Sequence, residues 1–323
     1  MKEGRPMTAP FPALHWHRPL MLLAIVMAAL TGASLIGLVI DDRTLTGMPI
    51  WTKSVKFAVS VVVYAVTWAW LIAQLTRWRK IAWWAGTIAA AGLAVELIII
   101  VTQIVRGTTS HFNYTTPLNA TLWNIMGASI ILVWVATLVV SVALFRNGTA
   151  DRARNTAIRY GAALSLAGAA LGLLMVPATP AQRVTGSSVV GAHTVGLPDG
   201  GPGLPFLGWS SVGGDLRVPH FIGMHALQAL PLLLVALEFG ARRIPALRSM
   251  QVRHRLIVTA AVAFGALLVV LTWQALRGQS VVRPDGPTLL AFLVIVVASL
   301  CSAGIVLRPR AVAVSGDSVD AVR

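Results

Sequence analysis

Three groups of polar residues sit inside apolar stretches at helical spacing, and their types could do chemistry. Glu96, Gln103 and Arg106 recur at intervals of seven and three, which places them on one helix face, and His111 follows just beyond. Lys56, Ser60, Tyr64 and Thr67 repeat this pattern on an earlier stretch. On a later one Arg217, His220, Met224, His225 and Gln228 fall within roughly 140°, at about 100° per residue. Ionisable groups at membrane depth are costly, so they turn to a bundle interior and pair with each other or with a ligand. Glu96, His220 and His225 are therefore candidate catalytic residues. Lys56, Arg106, His111, Asp215, Arg217 and Gln228 are candidate ligand-binding residues, and His111, His220 and His225 are candidate metal ligands. His220 and His225 are five apart, so one helix face cannot present both as neighbouring ligands. A metal or haem would need another, from His111, His193, Glu96 or Asp215. Each residue also has a structural role open to it: Glu96 could pair with Lys56 or a histidine to hold helices together, and Arg106 could reach lipid headgroups from a helix end.

The elements that position these residues follow from composition. Of 323 residues 56% are hydrophobic and 11% charged, with mean hydropathy +0.77; so much apolar surface cannot hide in a soluble core, and the surplus must face lipid. Stretches at roughly 20–40, 54–76, 81–105, 120–145, 156–176, 220–240, 256–276 and 288–307 reach the ~20 residues that cross a bilayer. The fold expected is an all-α integral membrane protein with eight transmembrane helices. The cationic residues Lys2, Arg5, Arg77, Arg79, Lys80, Arg146, Arg152, Arg242, Arg243, Arg253, Arg308, Arg310 and Arg323 fall in loops or tails on one side of an eight-span chain. The positive-inside rule makes that side the cytoplasm, with both termini there, and localisation the bacterial inner membrane. The net charge of +15 is mostly this bias, so the partner implied is lipid and not nucleic acid. The single Cys301, in the eighth span, reads as a buried thiol.

Two short patterns recur in order. Gln103-x-x-Arg106-Gly107 is matched 171 residues on by Gln274-x-x-Arg277-Gly278, and Lys53-x-x-Lys56-Phe57 is matched 164 on by Arg217-x-x-His220-Phe221. They suggest two tandem four-helix repeats, 20–146 and 156–307, joined by a linker at 147–155 and flanked by tails at 1–19 and 308–323. Leu267 stands opposite Glu96 in the second copy, so the repeat itself does not require the glutamate. Within the second copy, 177–219 is rich in Gly, Pro and Ser and should form an ordered outer lid, not a helix. Phosphate-binding Gly-rich loops, paired cysteines and His-Glu-x-x-His are absent from the sequence, which removes the chemistries those motifs serve.

Ser110-His111-Phe112-Asn113, with Gly214-Asp215-Leu216-Arg217-x-x-His220-Phe221-x-Gly223-Met224-His225-Ala226-Leu227-Gln228, resembles a family of multi-pass membrane proteins of actinobacterial type. That resemblance implies a membrane fold and no particular activity. A looser likeness, of architecture alone, is to haem A synthase, which is also two four-helix units in tandem with histidine-ligated haem; spans four and eight here contain no histidine. The function expected is an outward-facing intramembrane site for a metal, haem or quinone-like ligand in a redox-type role. A small-solute transporter and a non-catalytic sensor or assembly factor are the alternatives, and no cofactor, reaction or protein partner is assigned.

Overall fold

The computed structural model describes residues 16–148 and 150–308. Lys2, Arg5, Arg310 and Arg323 lie outside these, as does most of each expected tail. Ten α-helices and two tiny strand pairs are present among the described residues: α1 Arg18–Ile40, α2 Thr52–Ala73, α3 Arg79–Val105, α4 Pro117–Arg146, α5 Arg152–Leu171, α6 Pro180–Thr185, α7 Arg217–Met224, α8 Ala226–Gly240, α9 Met250–Leu276 and α10 Gly286–Leu307. The strands are β1 Thr44–Leu45 with β2 Met48–Pro49, and β3 Thr194–Val195 with β4 Gly214–Asp215, both antiparallel. Seven helices are long and apolar enough to cross a membrane, and α7 with α8 makes an eighth span bent by 46°. The chain is thus a helical protein of seven or eight candidate spans.

Helix ends are set by local chemistry. Thr116, Asp151 and Asp285 accept the amide three residues on and start α4, α5 and α10, satisfying donors that the first turn leaves over. At the two Gln-x-x-Arg-Gly segments the ends are the same in detail. Gly107 and Gly278 adopt left-handed φ of 70° and 72°, and the amides of Thr108 and Gln279 close on the carbonyls of Gln103 and Gln274 at 3.0 and 3.2 Å, a Schellman ending that favours glycine. Each glutamine amide then donates to a carbonyl six residues on, Gln103 to Thr109 at 3.4 Å and Gln274 to Ser280 at 2.9 Å. Each arginine reaches the start of the next helix: Arg106 donates to Asn119 at 2.8 Å, and Arg277 pairs with Asp285.

The bend in the sixth span was not expected from its hydropathy. Gly168 of α5 and Gly223 of α7 bring their backbones together so closely that a Cβ on Gly168 would lie 2.3 Å from the Gly223 carbonyl carbon. Just beyond, the amide of Gln228 bonds the His225 carbonyl and not that of Met224, and the Ser165 hydroxyl donates to the Met224 carbonyl at 2.8 Å. The break therefore leaves that carbonyl satisfied from α5, as non-helical backbone at membrane depth requires. Pro231 within α8 removes a further amide.

Helix pairing is alike in the two halves. α1 packs on α2, α2 on α3, α3 on α4 and α1 on α3; α5 packs on α7 and α8, these on α9, α9 on α10 and α5 on α9; α4 meets α5 where the halves join. Buried polar ties reinforce the order: Ser34 to Ser54 at 2.8 Å between α1 and α2, Tyr64 to Thr137 at 2.7 Å between α2 and α4, and the Trp134 indole to the Leu166 carbonyl at 3.1 Å between α4 and α5. One core runs through the first half and takes in Ile158, Ala162 and Leu227 of the second. α10 lies outermost, with no fully buried residue beyond Thr288, and Cys301 on it is exposed, not buried as its span suggested. α10 packs mainly on α9, so most of its surface is left for lipid.

At one end of the bundle the non-helical segments gather. Residues 186–216 lie over this end as a cap, and α6 is helical within the wider 177–219 segment that was read as non-helical. The cap pairs with 112–114 through Tyr114 to Ser188 at 2.8 Å and Val190 to Phe112 at 2.9 Å. It meets the β1–β2 turn where a Cβ on Gly47, at φ 74°, would lie 2.8 Å from the Gly200 carbonyl oxygen, so glycine is required there twice over. The Ser280 hydroxyl closes the ring by donating to the Ser210 carbonyl at 2.8 Å.

Candidate functional site

Beneath this cap α2, α3 and the 106–116 connection bring three ionisable side chains together. Lys53, in the first turn of α2, points its Nζ at Ser110 Oγ, 2.8 Å, and at His111 Nδ1, 3.0 Å. Because the ammonium only donates, His111 Nδ1 accepts and the ring proton sits on Nε2. That nitrogen faces Glu96 Oε1 of α3 at 3.7 Å. Glu96 is 3% exposed, and its other oxygen, Oε2, is buried without any hydrogen-bond partner among the described residues. A buried polar atom left in this state costs a few kcal/mol unless a ligand, a water or a proton completes it.

Aromatic rings wall the cluster. Trp123 lies 5.2 Å from the His111 ring, Phe112 6.0 Å and Phe57 5.9 Å, and Lys53 Nζ sits 5.7 Å over Phe57. Phe57 meets Phe221 edge to face at 6.5 Å. On the cap side His193 lies 6.5 Å from His111. Its Nδ1 bonds Asp199 Oδ2 at 2.6 Å, and Asp199 also accepts the amides of His193 and Thr194. A chain of proton-holding groups thus runs from Asp199 on the cap through His193 and His111 to Glu96 within the bundle. Burial, and next the charges of Lys53, His193 and His220, hold His111 well below the usual histidine pKa, so it is neutral. Burial likewise lowers His193 in spite of Asp199. For Asp199 burial pushes upward, but its bonds from His193 and the backbone outweigh this and leave it well below the usual carboxylate range.

Other residues singled out from the sequence are placed elsewhere or used structurally. Asp215 is 2% exposed and accepts from Arg217 Nη2 at 2.6 Å and from the Ser210 amide at 2.8 Å, while Arg217 Nη2 also donates to the Gly208 carbonyl. The pair folds the cap over α7, so its groups are taken up internally. Lys56 donates to the Leu207 carbonyl at 2.8 Å and fastens the cap to α2. Arg106 is exposed and bonds Gln103 and Asn119, tying α3 to α4. Gln228 reaches Thr67 at 3.3 Å, and its Oε1 is buried without a partner among the described residues. His220 donates from Nδ1 to the Gly168 carbonyl at 2.8 Å, and His225 occupies the bend, with no hydrogen bond to its ring among the described residues.

Among those residues no group of three or more His, Cys, Asp or Glu side chains is placed to hold a metal ion. His111, His220 and His225, expected as metal ligands, are not gathered into such a group; His111 Nδ1 faces Lys53 and His220 Nδ1 bonds the α5 backbone. The groups that reasoning from sequence missed are Lys53, read only as a repeat marker, and Asp199, Phe57 and Trp123. For Lys53 there was a signal: it shares a helix face with Lys56, three residues on, at the mouth of an apolar span.

No protein-family model matches this chain, and neither a curated protein nor a solved structure does.

Proposed function

We propose that this is a bacterial inner-membrane protein that binds a quinone-like ligand from the outer side, in a redox-type role, and exchanges a proton with it at the Lys53–Glu96–His111 cluster. The observation that carries this reading is Glu96: a buried carboxyl group with one oxygen facing the His111 N–H and the other unpartnered among the described residues. A ligand hydroxyl or carbonyl beside Oε2 would complete its bonding, Lys53 supplies a cation for a ligand oxygen, and Phe57, Phe112 and Trp123 offer ring faces for an aromatic body. The Asp199–His193–His111 series supplies protons from the outer surface.

Orientation rests on the loop charges, which put the cap outside and both termini in the cytoplasm. We also infer that 20–146 and 156–307 are tandem repeats. The matched endings at Gly107 and Gly278, the like helix pairing in each half and the meeting of Phe57 with its counterpart Phe221 support this, since equivalent residues meet where a pseudo-two-fold axis passes between copies. The motifs around His111 and His220 support membership of the actinobacterial-type membrane family they resemble.

Small-solute transport is the second reading, favoured by the broken sixth span, because transporters build their sites at interrupted helices between repeats. The test is equilibrium binding of a short-chain naphthoquinone to the purified protein in nanodiscs, beside its absorption spectrum. Saturable binding weakened about tenfold or more by Lys53→Met, one charge-assisted bond being worth roughly 1.5–3 kcal/mol, supports the quinone-like reading. A haem absorption band in the purified protein, or naphthoquinone affinity unchanged by Lys53→Met, overturns it.

A further inference from the structure

At the opposite end of the bundle the start of α1, the end of α2 and the start of α3 enclose a cleft of about 420 Å³. Arg18, Arg79 and Lys80 line it together with Trp16, His17 and Trp83. None of the three cations forms an ion pair among the described residues, and every residue lining the cleft is cationic, aromatic or apolar. His17 accepts the Leu20 amide at Nδ1 and so donates from Nε2 to the Trp83 carbonyl at 2.7 Å, which holds α1 against α3 and fixes the cleft's shape.

Two further observations point to an anion. The Trp16 indole N–H, at the cleft, is buried with no acceptor among the described residues. α3 begins at Trp78 without any side-chain cap, so its first amides have no intrahelical partner beside Arg79 and Lys80. Together these give a concave set of donors and three positive charges around a space with no acceptor of comparable charge. The surroundings decide which anion: Trp78, Ile81, Trp83, Trp84 and Ile88 are exposed along the same end of α3, an aromatic belt of the kind that sits at headgroup level, with apolar surface beyond it for acyl chains.

We propose that this cleft binds the phosphodiester headgroup of an anionic phospholipid, one lipid per site, with Arg18, Arg79 and Lys80 around the phosphate. Binding there would join α1 to α3 at the end far from the Glu96 cluster, and it stands independently of any ligand at that cluster.

The experiment is native mass spectrometry of the full chain released from nanodiscs of phosphatidylglycerol and phosphatidylcholine, with lipid affinity read by titration. Selective retention of one phosphatidylglycerol is expected. Arg79→Gln with Lys80→Gln should weaken it on the order of 30-fold, since each cation near the surface contributes about fivefold. Arg242→Gln with Arg243→Gln, the same loss of charge on another loop, should leave it unchanged. Arg18→Gln alone, expected to weaken it about fivefold, keeps the test decisive if the double change disturbs insertion. Equal loss in the Arg242 and Arg243 control would mean diffuse charge attraction; competition by inorganic phosphate at equal phosphorus concentration would mean a free-anion site; retention unaffected by the cleft variants would mean no site. Each of these three results overturns the proposal.

Discussion

Gly168→Ala tests the joint on which the broken span depends. The added methyl would lie 2.3 Å from the Gly223 carbonyl carbon, 2.4 Å from its Cα and 2.5 Å from the Met224 amide. Backbone cannot swing aside as a side chain can, so α7 must retreat from α5 by roughly 1 Å to reach ordinary contact, and a gap of that size forfeits a quarter to a half of each neighbouring van der Waals contact. Overpacking of this kind costs about 1–3 kcal/mol, and two backbones in contact put this case near the upper figure. The same retreat stretches the 2.8 Å bond from His220 to the Gly168 carbonyl and the 2.8 Å bond from Ser165 to Met224, each worth about 1 kcal/mol. The sum is about 4–5 kcal/mol, which at roughly 2–4 °C per kcal/mol for a protein of this size lowers Tm by about 10 °C or more. The assay is thermal unfolding of purified protein in one detergent, with Gly127→Ala as the control because nothing lies within 4 Å of a Cβ there. A Gly168→Ala protein that melts within about 2 °C of the unchanged one refutes the close approach of α5 and α7, given the magnitudes above.

Three further outcomes are expected. Arg217→Leu strips the buried Asp215 of its cation, a loss of about 3–5 kcal/mol when a buried pair is broken, so limited proteolysis should begin to cut within 186–208; a cap as resistant as before would show that the clasp does not hold it. His111 and His193 are held neutral in the fold but titrate near 6.5 once unfolded. The unfolded chain therefore binds more protons below that pH, and stability that is complete above about pH 6.5 should fall as the pH drops toward 5; hydrogen exchange of the cap at pH 7.5 and 5.5 reads this, and equal protection at both contradicts it. Reporter fusions after residues 150 and 248 should report cytoplasm and those within 185–205 the outside, and a cytoplasmic signal from the cap would remove the outward site.

Much of the frame is legible in sequence because lipid imposes it. Span positions follow from the length of apolar runs, and the helix ends at Gly107 and Gly278 from a five-residue pattern whose geometry is local. Glu96 and His111 could be singled out because a carboxylate within an apolar run and a histidine just past its end stand out against their neighbours. What stayed hidden depends on contacts between distant residues. The bend at His225 requires Gly168, 57 residues earlier, to meet Gly223. Lys53 turns inward because Ser110 and His111, far along the chain, offer it partners. Asp215 and Arg217 look like ligand groups at a helix start, yet they satisfy each other and the cap backbone, a choice set by the loop's own path.

The central claim is that the Glu96 carboxyl exchanges a proton with a bound quinone-like ligand. Calorimetric titration with a short-chain naphthoquinone, in two buffers of different ionisation enthalpy at one pH, counts the protons taken up or released on binding. The unchanged protein should show a buffer-dependent heat equivalent to a sizeable fraction of one proton, and Glu96→Gln should bind with that dependence abolished. The same proton count in Glu96→Gln, or binding with no buffer dependence in either protein, would contradict it.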